Sequence, residues 1–313
     1  MEISGIKVEN GRFAHTYSIV CRDQKTGEMG VGVQSHYFSV GGVVSWGESG
    51  VGVVATQSLV NVSFGLRGLE LLKQGKSPEE ALNILLSDDN GRDVRQVAIL
   101  DARGRVAAHT GSKCIKHAGH IEGNNFSVQA NMMLTDKVWS TMAKSFESNV
   151  NLPLAERIVK TMEAAETVGG DIRGKQSAAI LIVDGKEAKN KWEDKIIDLR
   201  VEDNEQPVKE LSRLLKLHRA YKHMDKGDLA IEHNDMTKAL KEYDSALNMF
   251  PENLEMKFWT AVSLANNQKL EDASELFKII FKKNNNWRLL TERLPKSGLL
   301  NLSKKELEDI LSL

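Results

Sequence analysis

The spacing of apolar residues changes near residue 205 of this chain. Up to about residue 204, short apolar runs are separated by glycine and turn residues, which is typical of β-strands with helices inserted between them. After about residue 205 the spacing becomes that of amphipathic helices. With 313 residues the chain is long enough for about two domains. The sequence therefore predicts a mixed domain up to residue 204, a connecting helix over 205–222 and helical repeats over 223–313.

The charge balance excludes some classes of partner. The 42 lysine and arginine residues nearly cancel the 43 aspartate and glutamate residues, so we expect neither nucleic acid nor an anionic membrane surface as a partner. No signal-like start and no run of about 18 apolar residues occurs, and neither export nor membrane insertion is expected. Cys21 and Cys114 are too few for a disulfide framework, which favours a cytoplasmic protein.

The β-rich part contains nine predicted strands. Two turn sequences, Thr26–Gly30 and Ala102–Gly104, lie between apolar runs, so the strands that flank each turn should pair antiparallel. The predicted strands are Thr16–Arg22, Gly30–Ser35, Gly42–Trp46, Gly52–Gln57, Arg95–Asp101, Arg105–Thr110, Asn125–Asn131, Ser177–Asp184 and Lys195–Val201.

Helix signals lie between these strands. Ser77 is followed by proline and by Glu80, a capping box that opens a helix running through Leu86. A stripe of leucines from Leu66 to Leu72 predicts the helix before it, and a third helix should run from Pro153 to about Thr167, where Gly169 and Gly170 stop it. The pattern predicts an α+β fold in which two sheets pack together with helices outside.

The C-terminal part shows a 34-residue repeat of the tetratricopeptide type. One copy has Gly227, Ala230, Asn234, Ala239, Tyr243, Ala246 and Pro251 at the small, turn and bulky positions. A second, more degenerate copy has Ala261, Leu264, Gln268, Ala273, Phe277, Ile280 and Asn285 there. The alternative is two unrelated amphipathic helix pairs. A terminal helix near Ser303–Leu311, opened by a second capping box, should cap the stack.

Common cofactor signatures are absent from the sequence. There is no dinucleotide-binding or Walker loop, no H-E-x-x-H and no C-x-x-C, so no cofactor is expected. His117 and His120 have the spacing of a ligand pair, but no nearby pair of carboxylates completes a metal site. We expect no metal.

Five ordered motifs resemble domain-of-unknown-function family 1028. They are the Thr16–Val20 strand with its turn, GVGVQSHYFSVGGVV, ATQSLVNVSFGLRGLELL, FSVQANMML and GGDIRGKQSAAILIV, and they cover about residues 14–220. The family is assigned by similarity to the Ntn hydrolases, which implies a four-layer αββα sandwich over 16–204. One departure is Ala130, where the family pattern leads us to expect glycine, and it puts a close backbone approach there in doubt.

The resemblance implies a mechanism in which an N-terminal threonine, serine or cysteine attacks a carbonyl and its own α-amine is the general base. Thr16 is then the nucleophile. Family members often begin close to this threonine, whereas fifteen residues precede it here. Residues 1–15 would be an N-terminal extension or propeptide, and the His15–Thr16 bond would be cut by self-processing or by a protease. The alternative for Thr16 is a β-branched residue that starts a strand.

The same motifs point to further site residues. Asn131, with Gln129 before it, could supply amide donors to an oxyanion, and the alternative is that both amides close a turn. Arg173 could bind a substrate carboxylate and Asp171 an amine, unless the two form a salt bridge that orders their loop. Further substrate-binding candidates, including two that open a helix whose N–H groups favour anions, are Ser35, His36, Asn61, Arg67, Gln176 and Ser177; helix capping explains Asn61 equally well.

Two functions follow as hypotheses. The first is an amidohydrolase that acts on a small amide or peptide-like substrate through Thr16. The second is a non-catalytic ligand-binding or scaffold protein whose helical repeats bind a protein partner. Self-association of the repeats is held open beside partner binding.

Overall fold

The computed structural model divides the chain into two compact units, 1–215 and 216–313. It describes residues 2–3, 6–7 and 12–313, with side chains from Phe13 onward. The first unit has an α+β fold with two large antiparallel sheets, and the second is helical. Within the described residues, no helix is both long enough and apolar enough to cross a membrane. The four predicted segments, 1–15, 16–204, 205–222 and 223–313, stay predictions.

Thirteen strands are present in the described part of the first unit. The predicted antiparallel pairing across both turns is confirmed, since Thr16–Arg22 pairs with Met29–Ser35 and Arg95–Asp101 pairs with Val106–Thr110. The strands are β1 (Glu2–Ile3), β2 (Ile6–Lys7), β3 (Arg12–Ala14), β4 (Thr16–Arg22), β5 (Met29–Ser35), β6 (Ser45–Glu48), β7 (Gly52–Val60), β8 (Arg95–Asp101), β9 (Val106–Thr110), β10 (Gly119–Gly123), β11 (Phe126–Ala130), β12 (Ser177–Val183) and β13 (Lys195–Val201).

The strands form two large sheets, and β1 and β2 pair with each other in a separate two-stranded sheet. The six-stranded sheet has the order β10-β11-β4-β5-β12-β13. The five-stranded sheet has the order β3-β7-β8-β9, and β6 pairs with the same strand β7. The chain leaves the second of these sheets after β3 and enters the first at β4, so a single residue, His15, connects them.

Helices surround the sheets and build the second unit. In the first unit the helices Ser63–Lys73 and Pro78–Ser87 lie between β7 and β8, and the helices Val138–Ser148 and Leu154–Thr167 lie between β11 and β12. The helices are α1 (Gly41–Val44), α2 (Ser63–Lys73), α3 (Pro78–Ser87), α4 (Val138–Ser148), α5 (Leu154–Thr167), α6 (Pro207–Glu232), α7 (Met236–Met249), α8 (Leu254–Asn266), α9 (Leu270–Lys283), α10 (Asn286–Arg293) and α11 (Lys304–Leu311).

Three apolar clusters make the core of the first unit. One joins side chains of both sheets, such as Val31 of β5 and Val53 of β7. A second joins the six-stranded sheet to α4, α5 and the start of α6, and a third joins the five-stranded sheet to α2 and α3. Each sheet therefore has one face toward the other sheet and one face toward helices, which requires the almost continuous apolar strands that the sequence contains.

The core of the second unit is rich in aromatic rings. Phe258 of α8 contacts Phe277 of α9 and Trp287 of α10, with ring centroids 6.0 and 4.8 Å apart. A second cluster places Tyr243 of α7 near the small residues Ala230 and Ala246. Ala230, Tyr243 and Ala246 are positions of the predicted repeat. The small alanines let the helices approach closely, and the tyrosine ring fills the space between them.

Several sequence predictions of local structure are confirmed. Ser77 and Ser303 each accept a hydrogen bond from the backbone N–H three residues on, and the glutamates there complete both capping boxes. The third helix ends at Thr167, and Gly169 and Gly170 follow with φ of +110° and +56°, backbone angles that favour glycine.

Other predictions were wrong or incomplete. A strand was expected over Gly42–Trp46, but the chain forms the short helix α1 there and the strand begins at Ser45. The reason is tertiary: Val43 and Val44 turn into the cluster between the sheets, where a helical turn buries both at once. The sequence analysis also missed β3, β10 and α4.

Candidate functional site

Thr16 lies where the chain passes from one sheet to the other. β3 ends at Ala14 and pairs with β7, while β4 begins at Thr16 and pairs with β5 and β11. The side chain of Thr16 is fully buried, and His15 is 5% exposed. The His15–Thr16 peptide bond is therefore enclosed between the sheets of the intact chain.

The carbonyl oxygen of His15 accepts two side-chain hydrogen bonds. Ser35 donates its Oγ hydrogen over 2.6 Å, and Arg173 donates from Nη2 over 2.7 Å. Ser35 is the register partner of Thr16 across β4 and β5. A hydroxyl and a guanidinium that converge on one carbonyl oxygen polarise the bond and would stabilise negative charge on that oxygen.

Arg173 is held in place by Asp171. Its Nη2 and Nε atoms lie 2.7 and 3.1 Å from the two carboxylate oxygens, a forked pair, and the side chain of Asp171 is buried. The salt bridge considered in the sequence analysis is thus present. Arg173 makes this salt bridge and reaches the His15 carbonyl oxygen at the same time.

The backbone of Thr16 is also fixed. Its carbonyl oxygen accepts hydrogen bonds from the backbone N–H of Asn131 at 3.1 Å and from Nε2 of Gln57 at 3.2 Å. The Thr16 hydroxyl donates to the carbonyl oxygen of Ala14 at 2.7 Å. In the intact chain the hydroxyl therefore faces the segment that precedes it.

Nδ1 of the His15 imidazole lies 2.8 Å from the side-chain oxygen of Asn131. Asn131 donates its amide nitrogen to Gln96 at 2.8 Å, so its oxygen is the acceptor and Nδ1 of His15 carries the proton. Burial lowers the pKa of His15 below its ordinary value of 6.5, and the hydrogen bond to Asn131 raises it less. The ring is therefore neutral near pH 7.

A network of buried amides lies behind Thr16. Gln57 of β7 accepts a hydrogen bond from Ser18 and donates to Gln96 of β8. Gln129 of β11 donates to the same serine at 2.7 Å. All of these side chains are buried. Satisfied networks of this kind hold a single arrangement, because breaking one member leaves others unpaired in a low dielectric.

Two non-glycine residues beside this network have positive φ. Ser58 follows Gln57 with φ of +71°, and Met132 follows Asn131 with φ of +61°. Such conformations are costly for residues with a side chain and occur often at functional sites. The strained backbone marks the same place as the hydrogen bonds.

The remaining predicted residues fall into two groups. His36 and Ser177 lie near Thr16: the backbone N–H of His36 donates to Asp171, and Ser177 is the register partner of Ser35. Ser177 donates to the carbonyl oxygen of Tyr37 and so positions the loop after β5. Gln176 donates its backbone N–H to the carbonyl oxygen of Ser35, and its side-chain amide donates to the exposed Asp203.

Asn61 and Arg67 make their contacts elsewhere. Asn61 accepts hydrogen bonds from the backbone N–H and the hydroxyl of Ser63, the first residue of α2, whereas Val62 holds the N-cap position of this helix. Arg67 forms an exposed ion pair with Asp88. Neither has a hydrogen bond to the cluster around Thr16 among the contacts described for residues 13–313.

Sequence reasoning missed three members of the site: His15, Gln57 and Gln96. Gln57 and Gln96 could have been found, because each is an amide in a predicted strand that also contains an apolar run, Gly52–Ala55 in one and Val97–Leu100 in the other. His15 carries no such signal in the sequence. Among the described residues, no group of three or more His, Cys, Asp or Glu is placed to hold a metal ion. His120 instead hydrogen-bonds Thr110.

Comparison with known proteins agrees with this fold. A family of unknown function, DUF1028, matches residues 16–211. The chain belongs to this family. It is also similar to the crystal structure of protein SPO2555 from Silicibacter pomeroyi, described as DUF1028. The identity is 29% with a TM-score of 0.59, over 65% of this chain and 85% of that one. No curated protein matches the chain.

Proposed function

We propose that this protein is an Ntn-type amidohydrolase that acts on a small amide or peptide-like substrate through Thr16, after cleavage of the His15–Thr16 bond. The observation that carries the proposal is the pair of donors, Ser35 and Arg173, on the carbonyl oxygen of His15. The two sheets with helices on their outer faces support an αββα sandwich of the Ntn type.

The first step is an acyl shift within the chain. The Thr16 hydroxyl oxygen attacks the carbonyl carbon of His15, and the bond from that carbon to the nitrogen of Thr16 breaks. The hydroxyl proton ends on the nitrogen, which becomes the α-amine, and His15 is left as an ester on Thr16. One water then hydrolyses the ester, which frees residues 1–15 as a carboxylate and restores the hydroxyl.

The same groups then serve the substrate. A free α-amine has a pKa near 8, so it can take the proton of the hydroxyl near neutral pH. The substrate carbonyl oxygen would occupy the position of the His15 oxygen, between Ser35 and Arg173. Asn131 acts as a positioning residue, because its backbone N–H binds the Thr16 carbonyl oxygen and its side-chain oxygen binds the imidazole of His15.

The second unit we propose to be a tetratricopeptide-like array that docks a protein partner. A Cβ atom on Gly227 would lie 2.3 Å from the ring of Tyr243, so this position requires the small residue that the repeat pattern has there.

Both cysteines are free, which supports a reducing, cytoplasmic location.

One observation favours the alternative, a non-catalytic ligand-binding or scaffold protein. Residues 12–14 are a paired strand and Thr16 is fully buried, so an unprocessed chain is a well-packed state. The two functions differ in whether Thr16 ever becomes the N-terminus.

Intact mass and N-terminal sequencing of the purified full chain test the proposal. We expect loss of residues 1–15, leaving Thr16 first, followed by hydrolysis of peptide-like amides. Thr16→Ala should stay intact and Thr16→Ser should still be processed. Ser35→Ala should slow processing by about 10²-fold or more, as for removal of an oxyanion donor.

Three outcomes would contradict the proposal in different ways. A chain that stays intact and still hydrolyses amides would exclude the α-amine mechanism. A chain that stays intact and inactive would support the non-catalytic alternative. Processing of Thr16→Ala at the same rate as the unaltered chain would mean that an external protease makes the cut.

A further inference from the structure

The outer edge of β7 is covered by two different segments of the chain. Its first half, Gly52–Ala55, pairs with β6. Its second half, Ser58–Val60, pairs with β3, which is three residues long and ends next to the His15–Thr16 bond. Under the proposed function β3 leaves with residues 1–15. The edge at Ser58–Val60 then has unpaired backbone groups that lead directly to Thr16.

The residues that now occupy this edge show what it accommodates. Ala14 is fully buried in the cluster between the sheets, and Phe13 is 46% exposed. His15 is buried, with its ring on Asn131 and its carbonyl oxygen between Ser35 and Arg173. Within β3, Phe13 thus points outward and Ala14 inward, as successive residues of a strand do, and His15, which follows the strand, also has its side chain buried.

We propose that this edge of β7 receives the acyl side of the substrate, and that the substrate is a peptide in extended conformation. The proposal rests on the proposed function and specifies its substrate class. The residue whose carbonyl is attacked should carry a side chain that can donate a hydrogen bond to Asn131. The residue before it must be small, because it takes the buried position of Ala14. The next one outward faces solvent and is free to vary.

Strand addition explains why a peptide fits better than an isolated small amide. Main-chain hydrogen bonds to Ser58–Val60 supply binding that does not depend on side chains, and the Ala14 position supplies selectivity. Residues 12–15 are then a substrate held in place by the chain itself. They block the edge until they are cut.

The first test opens the edge in the full-length chain. Arginine at position 14 cannot enter a fully buried alanine position, so Ala14→Arg should release β3 from β7. Thr16→Ala is added to prevent cleavage, and Thr16→Ala alone is the matched control with a closed edge. The probe is a fluorescent peptide of residues 8–14, VENGRFA, with an amidated C-terminus.

The opened chain should bind this peptide at least about tenfold more tightly than the closed control. A peptide that itself carries Ala14→Arg should not bind. Because paired residues alternate in an antiparallel ladder, N-methylation at only one of Phe13 and Ala14 should weaken binding. Equal binding of the peptide to both chains would overturn the proposal. Protease sensitivity of the residues before position 16 shows that the edge has opened, and an opened chain that binds no peptide would also overturn the proposal.

The second test separates this proposal from the proposed function. A chain that begins at Thr16 is given peptide amides that end in Ala-His or in Arg-His before the leaving amine. We expect kcat/KM to be at least about tenfold higher for Ala-His. Equal hydrolysis of both would overturn the peptide edge and keep the hydrolase. Peptide binding in the first test without hydrolysis of either substrate would overturn the hydrolase and keep the edge as a peptide-binding site.

Discussion

The two units bury different kinds of groups at their centres. Around Thr16 the first unit buries amides and hydroxyls, with Gln57, Gln96 and Asn131 fully inaccessible. The second unit buries aromatic rings, with Phe258, Phe277 and Phe281 in one cluster. The first unit thus gathers its buried polar groups around one peptide bond, whereas buried hydroxyls of the second unit, such as those of Tyr243 and Thr260, bond to neighbouring residues of the helices.

The difference teaches where to look for chemistry in a chain of unknown function. Burial of apolar area stabilises a fold by roughly 25 cal/mol per Å², so an aromatic core needs no further explanation. Each hydrogen bond of a buried amide network contributes only about 1 kcal/mol net, whereas a network left incomplete carries a large penalty. Such a network therefore indicates a requirement for position, and here it surrounds one peptide bond.

The largest effect is expected for Gln96→Leu. Gln96 accepts hydrogen bonds from Gln57 and Asn131 and donates to Thr110 and to two backbone carbonyls, so leucine leaves several buried groups unpaired. The free energy of unfolding should fall by about 4 kcal/mol. Urea denaturation, monitored by near-ultraviolet circular dichroism, measures this free energy of unfolding.

Gln24→Leu is the matched control for this substitution, because Gln24 is exposed in the turn between β4 and β5. Its effect should stay within about 0.5 kcal/mol. If Gln96→Leu were equally mild, the network would not be the feature that distinguishes the first unit.

A slightly smaller effect is expected for Phe277→Ala in the second unit. Removing this fully buried ring leaves a cavity against Phe258 and Phe281, which should lower stability by about 3 kcal/mol. Hydrogen exchange of peptides from α8 and α9 measures the local loss. Ile279→Ala on the same helix, at a side chain 43% exposed, is the control and should change exchange little.

Acid should loosen residues before Thr16 and leave α9 unchanged. Burial lowers the pKa of His15, so the docked segment binds fewer protons than the released one. The docked segment has its full stability above pH 6.5. As the pH falls from 6.5 toward the lowered pKa of His15, the equilibrium constant for docking decreases by up to about tenfold per pH unit. Arg173 adds to this effect and Asp171 opposes it.

Mass spectrometry of a Thr16→Ala chain can follow the rate at which a protease cuts this segment from pH 7.5 to pH 5. This is roughly the range over which histidine titrates. His15→Gln should remove the pH dependence. A rate that is constant with pH in the Thr16→Ala chain would show that protonation of His15 does not oppose docking.

The smallest effect should be the same in both units. Ser77→Ala and Ser303→Ala each remove the serine of a capping box, and each should lower the stability of its helix by about 1 kcal/mol. Hydrogen exchange in α3 and α11 measures the change, and Ser→Asp variants should retain most of the cap. A large difference between the two serines would mean that tertiary contacts outweigh the caps.

Local structure in both units could be predicted from the sequence. The two capping boxes, the end of α5 before Gly169 and Gly170, and eight strands within three residues of their observed bounds follow from residues within a few positions of each other. α4 was missed because it lacks a capping serine, and α1 because two valines read equally well as a strand.

The sequence by itself determined the kind of element at most positions, and it placed Thr16 at the start of a strand. Only the tertiary structure decided what surrounds Thr16. Arg173 and Asn131 are 158 and 116 residues away from His15 along the chain. Whether such residues meet depends on strand register and on how the two sheets pack, and a shift of one residue turns a side chain to the opposite face. Periodicity reports that a strand exists, but the partner of its polar residue is set by the other sheet.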